Sequence, residues 1–274
     1  MEDGRLKMEI VFIGAGRLAT QLAQALCDKG GHRILAVCSR TMDAAQVLAQ
    51  KVGAKAGNDI SALTHHADAI IIAVKDDALP KVALQIAGLN PSCPIFHTAG
   101  SIPAATLGGV AHYGVIYPMQ TFSKERRVDF SRVPFFIEAS DDETLNVART
   151  LASTVSSQVT VLDSDRRRQL HLAAVFACNF TNHCYALAAH ILERCGLDFR
   201  VMLPLIEETA AKVETMHPRE AQTGPAVRYD QTVLQRQIRM LDDMPIARQI
   251  YELMSKSIHT TQTKQSVLMS KKHD

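Results

Sequence analysis

From residue 8 to about 162, short apolar runs rich in Val and Ile alternate with stretches whose apolar positions recur at helical spacing. That alternation is how βαβ units of a parallel sheet read, because strands covered on both faces show continuous rather than alternating hydrophobicity. The pattern predicts strands over residues 8–13, 33–41, 69–74, 95–98, 114–117, 135–138 and 158–162, with a helix near 19–26 behind the first. After Asp163 the style changes. Residues 170–192 contain few turn formers and read as one long helix, apolar nearly all round, which places it buried between other elements. Further helical patterns run over 199–216, 228–241 and 245–257. Asp163-Ser164-Asp165 ahead of Arg166-Arg167-Arg168 reads as a capped helix start and as a domain boundary. The expected organisation is an α/β domain over 1–164 and an all-helical domain over 165–274.

The first predicted strand runs straight into Gly14-Ala15-Gly16-Arg17-Leu18-Ala19 and a helix follows. Strand, glycine turn and helix in that order cradle a dinucleotide pyrophosphate in Rossmann-type, doubly wound sheets. Gly14 permits the tight turn, Gly16 lets the backbone approach the phosphates, and Ala19 stands where helix meets strand. The helix N-terminus offers free N–H groups and a positive dipole end. A glycine turn of purely structural purpose is the alternative. An NAD enzyme would place an acid at the end of the second strand, on the ribose hydroxyls; here stand Ser39, Arg40 and Thr41. A guanidinium fork with two hydroxyls suits a 2′-phosphate, so NADP(H) is the expected cofactor, against a reading of Arg40 as a solvated strand-end charge.

In open α/β sheets ligands bind outside the carboxyl ends of the strands. Behind the later strands come Val74-Lys75, Thr98-Ala99-Gly100 and Tyr117 with Gln120. Lys75 is placed to reach a ribose or the substrate, and the turn from Thr98 to Ser101 to line a nicotinamide; each also reads as a plain strand-end turn.

Composition narrows the partners. A chain of 274 residues with 47% hydrophobic and 21% charged residues is an ordinary globular protein. A formal charge of +2 gives no reason to expect nucleic acid or a membrane surface as a partner. No leader-like opening or membrane-length apolar run is present, so a cytoplasmic location is expected. Cysteines 27, 38, 93, 178, 184 and 195 lie in apolar contexts without C-x-x-C spacing, which predicts buried reduced thiols and no metal site.

Several segments in order carry a resemblance over almost the whole chain: His97-Thr98-Ala99-Gly100-Ser101, Tyr117-Pro118-Met119-Gln120-Thr121-Phe122, the stretch from His171 to Phe180, and Gln222 to Asp230. They resemble a family that joins a Rossmann-like domain to a helical domain of unknown function. Its members are described as NADP oxidoreductases by likeness to pyrroline-5-carboxylate reductase and the deazaflavin-dependent NADP oxidoreductases. The resemblance implies a helical second domain like that of 6-phosphogluconate dehydrogenase, and a homodimer formed through it. The β-hydroxyacid dehydrogenases place a lysine four residues before an asparagine on the long helix. Here Val175 precedes Asn179 and Cys178 precedes Asn182 at that spacing, so that chemistry is disfavoured.

On the predicted long helix His171, Val175, Cys178 and Asn182 share one face, with Asn179 one position round. Buried amides need partners, so Asn179 and Asn182 are expected against helix backbone, a dimer mate or a substrate. His171 is a candidate general acid or a hydrogen-bonded core histidine. Lys212 is a second candidate proton donor if it faces a cleft, and half of an ordinary surface pair with Glu208 if it does not. Thr223 ahead of a helix entry, and Arg228 beyond it, are candidate substrate contacts; Arg228 would clamp a carboxylate or bridge to Asp230 or Glu220. The expected function is NADP(H)-dependent hydride transfer to or from a small polar imine or carbonyl substrate at the domain junction. The competing expectation is an NADP(H)-binding sensor or interaction protein without turnover.

Overall fold

The structure, a computed structural model, describes residues 7–62, 66–123 and 126–270. The chain divides into two compact units, Met1–Phe180 and Thr181–Asp274.

In the first unit β1 (Glu9–Ile13), β2 (Arg33–Cys38), β3 (Lys55–Gly57), β4 (Ala69–Ile72), β5 (Ile95–His97), β6 (Tyr113–Pro118), β7 (Phe135–Ala139) and β8 (Val159–Val161) form one sheet, ordered β3-β2-β1-β4-β5-β6-β7-β8. Helices α1 (Arg17–Asp28), α2 (Met42–Val52), α3 (Leu79–Ala87), α4 (Asp142–Ser153) and α5 (Ser164–Ala174) accompany it. Successive side chains of β1 point to opposite faces. Ile10 and Phe12 pack with Leu22 and Leu26 of α1, while Val11 and Ile13 pack with Leu79 and Ile86 of α3. Both faces are therefore covered, which is why β1 reads as an unbroken apolar run. Strand order reverses at β1, with β2 on one side and β4 on the other. A crevice opens at that switch point.

The sheet is parallel except where β6 meets β7. Parallel neighbours need a crossover helix. Among the described residues between Pro118 and Phe135 the only helical element is the 3₁₀ turn Phe130–Arg132, and the chain returns antiparallel. The edge strand β3 was not expected, since Lys55-Ala56-Gly57 carries no apolar run.

Asp163 caps α5, accepting from the Arg166 N–H at 2.9 Å. The helix foreseen over 170–192 differs in three ways. It begins at Ser164, opens into a π-helix at Val175–Phe180, and resumes as α6 (Thr181–Glu193). A π turn holds more residues than an α turn, so positions beyond 175 rotate out of the face assigned to them. The helix is also not buried: Leu172, Phe176 and Phe180 are more than half exposed, because the chain covers only part of its circumference. Asn179 and Asn182 are exposed as well, so their amides face no burial penalty.

The second unit continues with α7 (Leu203–Thr215), α8 (Pro225–Arg228), α9 (Gln231–Arg239) and α10 (Pro245–Ser270). The pattern over 228–241 is interrupted at its start by Tyr229, at φ 52°. Asp230 then caps α9, accepting from the Val233 N–H at 3.1 Å. Leu192, Ala226, Leu234, Ile238, Leu241 and Ala247 are buried, but Leu205, Val213, Leu253 and Met254 are exposed. Cysteines also depart from expectation: all six are free, but only Cys38 is fully buried, and Cys178 and Cys195 are exposed. Among the described residues no helix is long and apolar enough to cross a membrane.

Candidate active site

The chain leaves β1 through Gly14, whose φ of 113° few side-chain-bearing residues adopt. The Gly14 N–H donates to the Cys38 carbonyl at 2.8 Å, and a Cβ here would stand 2.3 Å from the Ala73 carbonyl oxygen. Glycine is required at this position by both conformation and space. Gly16 is the opposite case: a Cβ there would meet nothing within 4 Å. The room lies outside the protein, over the start of α1, where Gly16 is the N-cap and no side chain caps the first turn. Arg17, Leu18 and Ala19 open that helix, and first-turn amides have no partner within a helix. An open cradle in front of unpartnered amides fits a pyrophosphate.

A groove of about 650 Å³ extends from this turn. Gly14, Ala15 and Gly16 line it together with Ser39, Arg40 and Thr41 from the end of β2, and with Val74 and Lys75 from the end of β4. Among the contributors that went unnoticed in the sequence are Asn58 behind β3 and Lys81 in the first turn of α3. Asn58 was hidden with its strand. Lys81 carried a signal, a cation at a helix N-terminus where the dipole disfavours one. Among the described residues none of Arg40, Lys75 and Lys81 forms an ion pair. Three unpaired cations against one lining carboxylate, Asp77, suit the extra phosphate of NADP(H).

Further along the carboxyl edge of the sheet a second cluster forms. The Tyr117 hydroxyl at the end of β6 and His171 Nδ1 of α5 lie 3.0 Å apart, with the rings edge to face. Gly100, behind β5, packs against both: a Cβ there would stand 2.5 Å from His171 Nδ1 and 2.9 Å from Tyr117 Cζ. Burial pushes the Tyr117 phenol up from its ordinary pKa; the Arg167 cation opposes that shift and the Asp76 charge adds to it. His97 is wholly buried. Burial, helped by Arg167, holds it down at about 4. Its Nδ1 accepts from the Ala99 N–H at 3.1 Å, so Nε2 carries the hydrogen and faces the Pro103 carbonyl at 3.3 Å. His97 thus fixes the turn that delivers Gly100.

Arg167, one helical turn before His171, is fully buried and pairs with Glu138 of β7. It also donates to the Ile102 carbonyl at 2.6 Å and to Ser164 Oγ at 3.2 Å. Ser164 Oγ in turn accepts from the Ala104 N–H at 2.9 Å. This network ties α5 to β7 and to the loop behind β5, holding His171 over Tyr117. Its residues, 138, 164 and 167, are far apart or sit inside an apparently ordinary basic run, so sequence spacing gave no sign of it.

The other foreseen residues lie elsewhere. Thr98 is buried, its N–H and hydroxyl both directed at the Ile72 carbonyl. Gln120 is exposed, and its Oε1 accepts from the Thr121 N–H. Lys212 lies 3.8 Å from Glu208 on an open face of α7. Thr223 and Arg228 belong to the second unit, and Arg228 has no ion pair among the described residues.

Comparison with known proteins decides the family. A "putative NADP oxidoreductase" of Bacteroides fragilis, solved by crystallography, is 51% identical over 93% of this chain and 98% of its own, with a TM-score of 0.88. The chain belongs to this NADP oxidoreductase family. Residues 9–93 match the family described as NADP oxidoreductase, coenzyme F420-dependent, and residues 133–258 match a domain of unknown function, DUF2520. Its coenzyme is NADP(H), as the cradle and the three free cations lead one to expect. Two further solved structures share the fold. An imine reductase of Myxococcus stipitatus in complex with NADP+ is 17% identical over 93% of this chain and 94% of its own, at TM-score 0.65. A pyrroline-5-carboxylate reductase of Coxiella burnetii is also 17% identical, over 94% and 98%, at TM-score 0.59. No curated protein matches the chain.

Proposed function

We propose that this NADP(H) oxidoreductase reduces, or in reverse oxidises, a small polar imine or carbonyl compound, with the proton drawn from His171 on the carboxyl edge of the sheet. The observation that carries the reading is the 3.0 Å contact between Tyr117 and His171. Reduction of C=N or C=O consumes one proton, and this pair is an imidazole in hydrogen-bond reach of a phenol whose pKa burial pushes up. Bound NADPH supplies the hydride. Gly14 to Leu18 hold the pyrophosphate, Ser39, Arg40 and Thr41 the 2′-phosphate, and Ala99 and Gly100 line the nicotinamide end. Fold-level likeness to proteins named as imine and pyrroline-carboxylate reductases supports a C=N substrate, by analogy only.

The same reading makes the protein a cytoplasmic homodimer through its helical half. Exposed Leu205, Val213, Leu253 and Met254 support it, since a lone chain leaves them in water. NADPH absorbance followed across a panel of cyclic imines and keto acids tests the activity. The wild type consumes NADPH with at least one compound, and His171→Asn slows that turnover by about 10²–10⁴-fold. Full activity in His171→Asn, or no consumption with any compound, rejects the reading.

A further inference from the structure

We propose that Tyr117 is the catalytic residue that hands the proton to the substrate, that His171 resupplies it, and that Gly100 is the positioning residue whose missing side chain lets the two meet. The proposal rests on the reductase reading above and assigns the order of proton transfer within it. The Tyr117 hydroxyl has one hydrogen, and His171 Nδ1 lies 3.0 Å from its oxygen. With His171 neutral and Nδ1 free, the phenol spends that hydrogen on Nδ1. With His171 protonated, Nδ1–H donates into the phenol oxygen, and the Tyr117 hydrogen is free to point at a substrate. Only the second arrangement arms the site.

The step balances as follows. The Tyr117 O–H bond breaks as the hydrogen bonds to the substrate nitrogen or oxygen. The proton on His171 Nδ1 passes to the phenol oxygen, and the imidazolium becomes neutral. The electron pair of the new C–H bond arrives with the hydride, and His171 recovers its proton from water. In this assignment Tyr117, nearly fully buried, meets the substrate at the carboxyl edge of the sheet, where β6 fixes it with its ring against the turn behind β5. Nδ1, meanwhile, is engaged by the phenol.

Gly100 makes the contact possible. An alanine methyl would overlap His171 Nδ1 at 2.5 Å, His171 Cγ at 2.8 Å and Tyr117 Cζ at 2.9 Å. One of the two rings must then shift. Around the pair stand Arg167 on α5, Asp76 behind β4, neutral His97 on β5 and Glu138 on β7, which pairs with Arg167.

Three readouts test the relay. Tyr117→Phe keeps the ring and lowers kcat by about 10²–10⁴-fold with NADPH affinity, measured by calorimetry, unchanged. Gly100→Ala lowers kcat by about tenfold or more, and KM much less, if the pair is the proton route. In ¹H–¹⁵N spectra of the His171 ring, recorded without coenzyme or substrate, both variants shift the Nδ1 signal. Tyr117→Phe turnover within threefold of an active wild type overturns the relay alone, as does a loss in His171→Asn that exceeds the Tyr117→Phe loss by about tenfold. An unmoved Nδ1 signal in Gly100→Ala overturns the positioning role. A wild type inactive on every compound sinks the reductase reading itself.

Discussion

The two units treat their apolar residues differently. In the first, β1 and β4 bury every apolar position on both faces, and α1, α2 and α3 close over them. In the second, α7 buries no side chain fully, and α6 buries only Leu192. A strand inside a wound sheet finds all its partners in its own chain within a few dozen residues. A helical stripe declares that something apolar must cover it without saying what. The difference teaches where a single chain covers its own apolar surface and where it leaves that surface in water.

The sharpest way to break this contrast is to truncate one large side chain in each unit. Phe12, with no exposed surface in the sheet core, should lose about 3–5 kcal/mol on substitution by alanine, read from urea melts. Leu205→Ala, at an exposed site, should cost under about 0.5 kcal/mol in a dilute monomer. Comparable losses at both would show that the second unit is as closed as the first.

Acid sharpens the contrast from the side of the first unit. His97 binds a proton near its ordinary 6.5 when unfolded but only at about 4 when folded. Between those values the unfolded chain holds more protons, so stability is intact above about 6.5 and is lost as the pH falls to about 4. The loss is about 3 kcal/mol as an upper figure, and His97→Asn should flatten that part of the curve. A wild-type profile level across this window would mean that His97 is not held neutral.

The remaining test concerns assembly. Light scattering should find two copies in the wild type, and Leu205→Asp should halve the mass at unchanged helical content. A wild-type monomer at every concentration would leave the bare helical faces without the proposed cover.

Legibility in the sequence followed the same divide. Strands β1, β2, β4 and β5 were visible because buried parallel strands are apolar throughout, and β6 to β8 because they too carry short runs rich in Val, Ile or Phe. The edge strand β3 was invisible because three residues at a sheet margin need no hydrophobic pattern. The antiparallel return at β7 depends on a connection without a crossover helix, which an apolar run cannot signal. The π turn at Val175–Phe180 hid because α and π turns carry the same composition. At the site, Gly14, Gly16 and Arg40 could be named because backbone conformation and charge dictate residue type locally. The Tyr117–His171 contact could not, since 54 residues separate its members and only the packing of α5 over Gly100 brings them together.

The claim on which the rest depends is that the groove behind β1 holds NADP(H) with its 2′-phosphate on Arg40, and calorimetry with both coenzymes tests it most directly. Wild-type protein should bind NADPH well above NADH, and Arg40→Ala should weaken NADPH by about 10–100-fold while changing NADH by less than about twofold. Equal losses for the two coenzymes, or no heat with either, would contradict the account.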